Sequence, residues 1–183
     1  MPLKIRKGDY MVGFKVGKPQ SQKRERIRDS LWADAKKVIW SRKTEDGYCS
    51  VPRTLPLVMT LINLLSPKGS GDASRVYHEL WCRAFDEGFV DIVDEEEHAY
   101  AAGYVTKGRS VRSWRERMDV LVDLGFIRVK PKGSRKHGYV VLVHPDIAVE
   151  ALRKTNPRGI PDAWYDAYSK RMIEIGAQKK KRP

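Results

Sequence analysis

Apolar positions recur at helical spacing in several separate stretches of the chain. From Ser21 to about Ser41, Ile27, Leu31, Ala35, Val38 and Ile39 fall on one side, with Trp32 and Trp40 beside them. Lys23, Arg24, Arg26, Arg28, Lys36 and Lys37 occupy the other side, so the segment predicts an amphipathic basic helix. Pro52 and Pro56 lead into a short apolar helix ending at Leu65, and Ser66 to Gly71 reads as a linker. After the linker, Ser74 is placed to cap a helix whose stripe is Val76, Tyr77, Leu80, Trp81, Ala84 and Phe85, with Gly88 closing it. Phe89 to Val93 alternates and is β-branched, which predicts a strand. Asp94 then caps a short helix from Glu95 to Ala102, whose first-turn acids suit the positive end of the helix dipole.

A longer helix follows from Ser110 to Leu124. Val111, Trp114, Met118, Leu121 and Val122 gather within roughly 100° of arc, and Gly125 ends it. Phe126–Lys130 and Tyr139–Val143 predict two antiparallel strands joined by a loop containing Pro131, Gly133 and Gly138. One further helix starts near Pro145. Another follows Pro161, with Trp164, Tyr168, Met172 and Ile175 on a face that completes the core or forms a dimer seam. The first 20 residues offer only a short alternation at Tyr10–Phe14, an arm or an edge strand, and Lys179–Arg182 form a basic tail. The expected division is 1–50, 51–71, 72–144 and 145–183.

Composition changes the picture through charge. The 183 residues carry 36 Lys and Arg against 23 Asp and Glu, net +13, a sign that favours polyanions. The charge is uneven: residues 1–43 are net +9, 66–104 net −6 and 105–139 net +7, so two basic blocks flank an acidic middle. No apolar run reaches the roughly 18 residues a membrane span needs, and Met1–Lys7 lacks a signal-peptide core. Cys49 and Cys82 cannot form a disulfide framework, which fits a reduced, cytoplasmic setting near the nucleoid.

The order from Ser74, helix, strand, short helix, turn, longer helix and hairpin, resembles the winged-helix family of DNA-binding domains found in bacterial, plasmid and phage regulators and replication initiators. The residues carrying the resemblance are Ala101-Ala102-Gly103 at the turn, Lys107 to Trp114 entering the second helix, and Leu121 to Ile127 leaving it. It covers about residues 74–144, and the turn from Gly103 to Arg109 is longer than the family's usual one. The resemblance implies a mainly helical fold with a small β hairpin and a module that binds double-stranded DNA.

The residues support this independently. On a helical wheel, Arg112, Ser113 and Glu116 lie opposite the Val111/Met118 stripe, and Arg109 and Ser110 stand at the end that would enter a major groove. Arg109 and Arg112 are the base-reading candidates, because a guanidinium meets guanine bidentately. Lys107, Arg115 and Arg117 are placed to reach phosphates. Lys130, Lys132, Arg135, Lys136 and His137 form a basic hairpin loop suited to a backbone or minor groove. The basic helix at 21–41 would extend the DNA footprint, clamp RNA or, the favoured reading, pack its apolar face on the core with incidental phosphate contacts.

Other chemistries are weaker. Asp91 and Asp94–Glu97 could hold Mg²⁺ in a nuclease, but no lysine or histidine stands at a diagnostic spacing, and a strand end with solvated acids explains them equally. His78 and Cys82 share a helix face, yet a structural zinc site needs four ligands, and Cys82 reads as a buried core thiol. The expectation is therefore a non-enzymatic DNA binder without cofactor or metal, with a homodimer and RNA as further partners. It would act as a transcriptional regulator or a replication or maintenance protein of a mobile element. The alternatives are an RNA-binding component of a ribonucleoprotein and a protein adaptor.

Overall fold

The computed structural model describes residues 18–41 and 44–177; the expected alternation at Tyr10–Phe14 and the tail Lys179–Arg182 lie outside them. The chain divides into two compact units, residues 1–46 and 47–183. Among the described residues there are eight helices and one three-stranded antiparallel sheet.

The first unit holds α1 (Lys18–Leu31) and α2 (Ala35–Val38) in place of the single expected helix. Local hydrogen bonding competes with helix continuation here. Ser30 Oγ donates to the Ile27 carbonyl at 2.8 Å, and Asp29 pairs with both Arg28 and Lys36, tying α2 back to α1. Ile27, Leu31, Val38 and Ile39 are exposed, and Ala35 alone among the described residues of this unit is buried.

The second unit begins with α3 (Leu55–Leu65) and α4 (Ala73–Arg83), whose buried stripes Val58, Leu61, Ile62 and Val76, Tyr77, Leu80 meet in one core. The cap of α4 falls on Asp72 rather than Ser74, and Ser74 Oγ donates to the Asp72 carboxylate at 2.6 Å. β1 (Phe89–Asp91), α5 (Glu95–Ala101), α6 (Ser110–Asp123), β2 (Ile127–Lys132) and β3 (Arg135–Leu142) follow. Trp114, Met118 and Leu121 of α6 are fully buried. At its end, Gly125 takes φ 75°, and the amides of Gly125 and Phe126 donate to the carbonyls of Val122 and Leu121. This paired closure by a left-handed glycine turns Phe126 into the core.

The sheet runs β1-β3-β2, with Phe89 opposite Val141, and Arg128 opposite Val141 on the other side. The hairpin is longer than expected and its loop shorter. Strand pairing reaches Lys132 and Arg135, leaving Gly133-Ser134 as a two-residue turn with positive φ at its first position. Pro131 lies in β2, tolerated because that strand is an edge with a bulge between Lys130 and Lys132. Gly138, expected in the loop, is a buried strand residue; a Cβ there would sit 2.5 Å from the Lys132 amide nitrogen.

Two helices close the unit, α7 (Pro145–Thr155) and α8 (Asp162–Glu174). Trp164 Nε1 donates to the Leu57 carbonyl of α3 at 2.8 Å, and its ring stacks on Tyr168 at 4.9 Å. Both rings are buried, so this face of α8 completes the core. Burial pushes the Tyr168 hydroxyl pKa upward, helped by the Asp146 carboxylate that accepts its hydrogen bond.

Candidate nucleic-acid interface

The site is built on α6 and the β2–β3 hairpin. Asp94 caps α5 by accepting from the Glu96 amide at 2.8 Å. The chain leaves α5 through Gly103 (φ 88°) and Gly108 (φ 78°), then enters α6 with Arg109 at its N-cap position. Because Trp114, Met118 and Leu121 point inward, the opposite face of α6 points outward with Arg112 on it.

The expected residues divide into two groups. Lys107 and Arg109 are exposed, Ser110 and Ser113 are half-buried, and the Arg112 side chain is 84% exposed, bonded among the described residues only to Glu116, one turn on at 3.0 Å. Lys130 is exposed and, among the described residues, has no ion-pair partner. Lys107, Arg109 and Arg112 are thus accessible at the start of α6, and Lys130 is accessible on the outward face of β2.

The second group is held by the protein itself. Arg115 Nε donates to Glu95 at 3.0 Å. Arg117 is 12% exposed, bonded to Glu116 and the Ser113 carbonyl, and lies 5.5 Å from the Tyr104 ring centroid. Its expected phosphate role fails because its guanidinium is enclosed. Lys132 donates to both Asp91 oxygens at 2.7 and 2.6 Å, and Arg135 donates to the carbonyls of Ile92 and Val93. Lys136 donates to Asp119 at 2.6 Å while its side chain stays mostly exposed.

His137 is the clearest correction. It is 1% exposed, edge-on to Trp114 at 5.9 Å, and its Nε2 donates to Asp119 at 2.8 Å. Although it shares the parity of the outward residues Tyr139 and Val141, this residue, expected at the tip of the loop, lies within β3 and is enclosed between Trp114 and Asp119. Burial pushes the Asp119 pKa up, but the hydrogen bonds from Lys136 and His137 outweigh it and hold the carboxyl below its ordinary range. The hairpin thus carries fewer available cations than its composition suggests.

A neighbouring buried pair had no sequence signal. His98 Nδ1 lies 3.0 Å from Glu79 Oε1, and Arg83 bonds the same carboxylate at 2.8 Å. Glu79 and Arg83 also line a cavity of about 510 Å³, together with Arg75, His78, Cys82 and Gly103. Cys82 is exposed, not a buried core thiol, because it falls off the Val76/Tyr77/Leu80 stripe. His78 Nε2 and Cys82 Sγ are 3.9 Å apart, and among the described residues no three His, Cys, Asp or Glu side chains gather as a metal set.

Outside the expected set, the outward positions of the sheet carry Phe89, Arg128, Tyr139 and Val141. Their signal was the same two-residue alternation that predicted the strands, read on the other parity. No helix among the described residues is long and apolar enough to cross a membrane. Compared with protein-family models, curated proteins and solved structures, the chain matches none.

Proposed function

We propose that residues 73–142 form a winged-helix module and that the protein binds specific sites in double-stranded DNA. It would serve as a transcriptional regulator or as a replication or maintenance protein of a plasmid or phage. The observation that carries this reading is the element order α4-β1-α5-α6-β2-β3 combined with the strand order β1-β3-β2. In that arrangement α6 takes the place of the recognition helix, and its outward N-terminal end bears Lys107, Arg109 and Arg112. Lys130 adds a separate exposed cation on the hairpin, while Arg115 and Lys136, partly exposed, can share their charge with phosphates. Arg117, Lys132, Arg135 and His137 support the shape of the site and not its contacts. The long turn between α5 and α6 sets the angle at which α6 would enter a groove.

The test is selection of duplexes from a random pool by the full chain, at low and near-physiological salt, followed by sequencing. Enrichment of one motif is the expected result, with affinity falling steeply as salt rises. Arg112→Ala should reduce discrimination at one or two base pairs by about 1–3 kcal/mol, whereas Lys130→Ala should weaken binding to all duplexes alike. Retained duplexes without any enriched motif would sink the sequence-specific reading.

A further inference from the structure

We infer that the outer face of the three-stranded sheet is a second binding surface, for single-stranded DNA. Two cross-strand rows make it: Phe89–Val141–Arg128 and Asp91–Tyr139–Lys130. Alternation sends Val90, Val140 and Leu142 into the core, and the outward positions of a sheet with one solvated face are ordinarily polar. Here the middle of that face is aromatic and apolar. Phe89 and Tyr139 are 38% and 36% exposed, and their rings lie 5.9 Å apart at an interplanar angle of 27°. The two rings stack on one another and both remain partly exposed, an aromatic patch against which unpaired bases can pack.

The charge around the patch selects its occupant. Arg128 and Lys130 line the β2 edge, exposed and without ion-pair partners among the described residues. The acid on this face, Asp91, is neutralised by Lys132, whose Nζ also lies 5.2 Å from the Tyr139 ring centroid. A second copy of the chain would bring the same positive edge and be repelled. A single strand supplies what the face lacks, phosphates for Arg128 and Lys130 and flat bases for the rings. A duplex hides its base faces within its own stack, so this surface and the face of α6 take different ligands. The choice of DNA over RNA rests on the reading of α6 above; the stacking surface does not depend on it.

The experiment is fluorescence anisotropy of a labelled oligo-dT of about 12 nucleotides with the full chain, beside a selected duplex. The double variant Phe89→Thr/Tyr139→Thr, which keeps β-forming residues in both strands, should lose about tenfold or more in dT affinity. Its duplex affinity should stay within about twofold, which also reports that it is folded. Arg128→Glu should weaken dT binding without touching either ring, and Tyr139→Phe should preserve it. Arg112→Ala should do the converse of the double variant, weakening the duplex alone. No dT binding, or equal dT binding by wild type and the folded double variant, overturns the proposal. Tighter binding of oligo-rU than oligo-dT overturns its choice of DNA, and a dimer in sedimentation that the double variant abolishes overturns its choice of occupant. Loss of duplex selection with dT binding intact would instead sink the reading of α6.

Discussion

Asp119 shows how one side chain can change the meaning of its neighbours. Its carboxylate accepts from Lys136 and from buried His137, which in turn meets Trp114 of the core. A basic triplet that looks like a polyanion contact is thereby partly a structural joint between α6 and β3. His137→Ala should leave Asp119 with a lost partner and a void beside Trp114, costing about 1–3 kcal/mol in urea unfolding. The joint also has a pH signature. Asp119 and Asp72 both have native pKa values below the ordinary 3.8, so their stabilisation is complete above that value and is lost as pH falls through the native one. Stability should therefore drop between about pH 5 and pH 2, and Asp119→Asn should be less stable at neutral pH with a shallower acid limb. An acid limb unchanged by Asp119→Asn would refute the role of this carboxylate.

Elements were readable where one period governs one segment. Val76, Tyr77 and Leu80 of α4, the stripe of α6 and the glycine stop at Gly125 were legible because burial follows spacing within a single helix; α4 nonetheless ends at Arg83, so Phe85 lies beyond it, exposed, and Gly88 does not close it. Reading failed where a neighbour decides. Pro131, Gly133 and Gly138 resemble loop residues, yet an edge position, a bulge and a tight turn admit all three to a continuous hairpin. Gly138 is needed because β3 passes so close to Lys132 that no Cβ fits. Gly138→Ala should shift or break the bulge and lower stability by about 1–3 kcal/mol in thermal or urea unfolding; a neutral effect would mean the strands separate freely there. The basic segment 21–41 differs in another way: its spacing is helical throughout, but the structure divides it into α1 and α2, with local hydrogen bonds at Ser30 and Asp29 near the break.

The compact unit from Gly47 to Pro183 draws most of its core from residues 73–142, and α3 and α8 complete it with Leu55, Val58, Leu61, Ile62, Trp164 and Tyr168. Trp164 is bonded to Leu57 across 107 residues, so the C-terminal helix is part of the support for α3, on which α4 packs. Trp164→Ala should cost about 3–5 kcal/mol and lower the melting temperature of the whole unit in one cooperative transition. Separate melting of the C-terminal helices would contradict that view. Cutting the chain after β3 removes Trp164 and Tyr168 from the core, so the segment proposed to bind DNA is best assayed within the full chain.

Local information was enough for the kind and order of the elements from Ser74 to Leu142, since hydrophobic period, capping residues and left-handed glycines act within a few positions of one another. It was also enough for net charge and for Arg112, whose place opposite the apolar stripe follows from helix geometry alone. Which cations remain available was decided by packing. Arg115 meets Glu95 across 20 residues, Lys132 meets Asp91 across 41 and Lys136 meets Asp119 across 17. No window along the chain contains those pairs. Coulomb attraction and hydrogen bonding act through space, so only the folded arrangement of α5, α6 and the sheet determines which basic residues are neutralised and which face solvent.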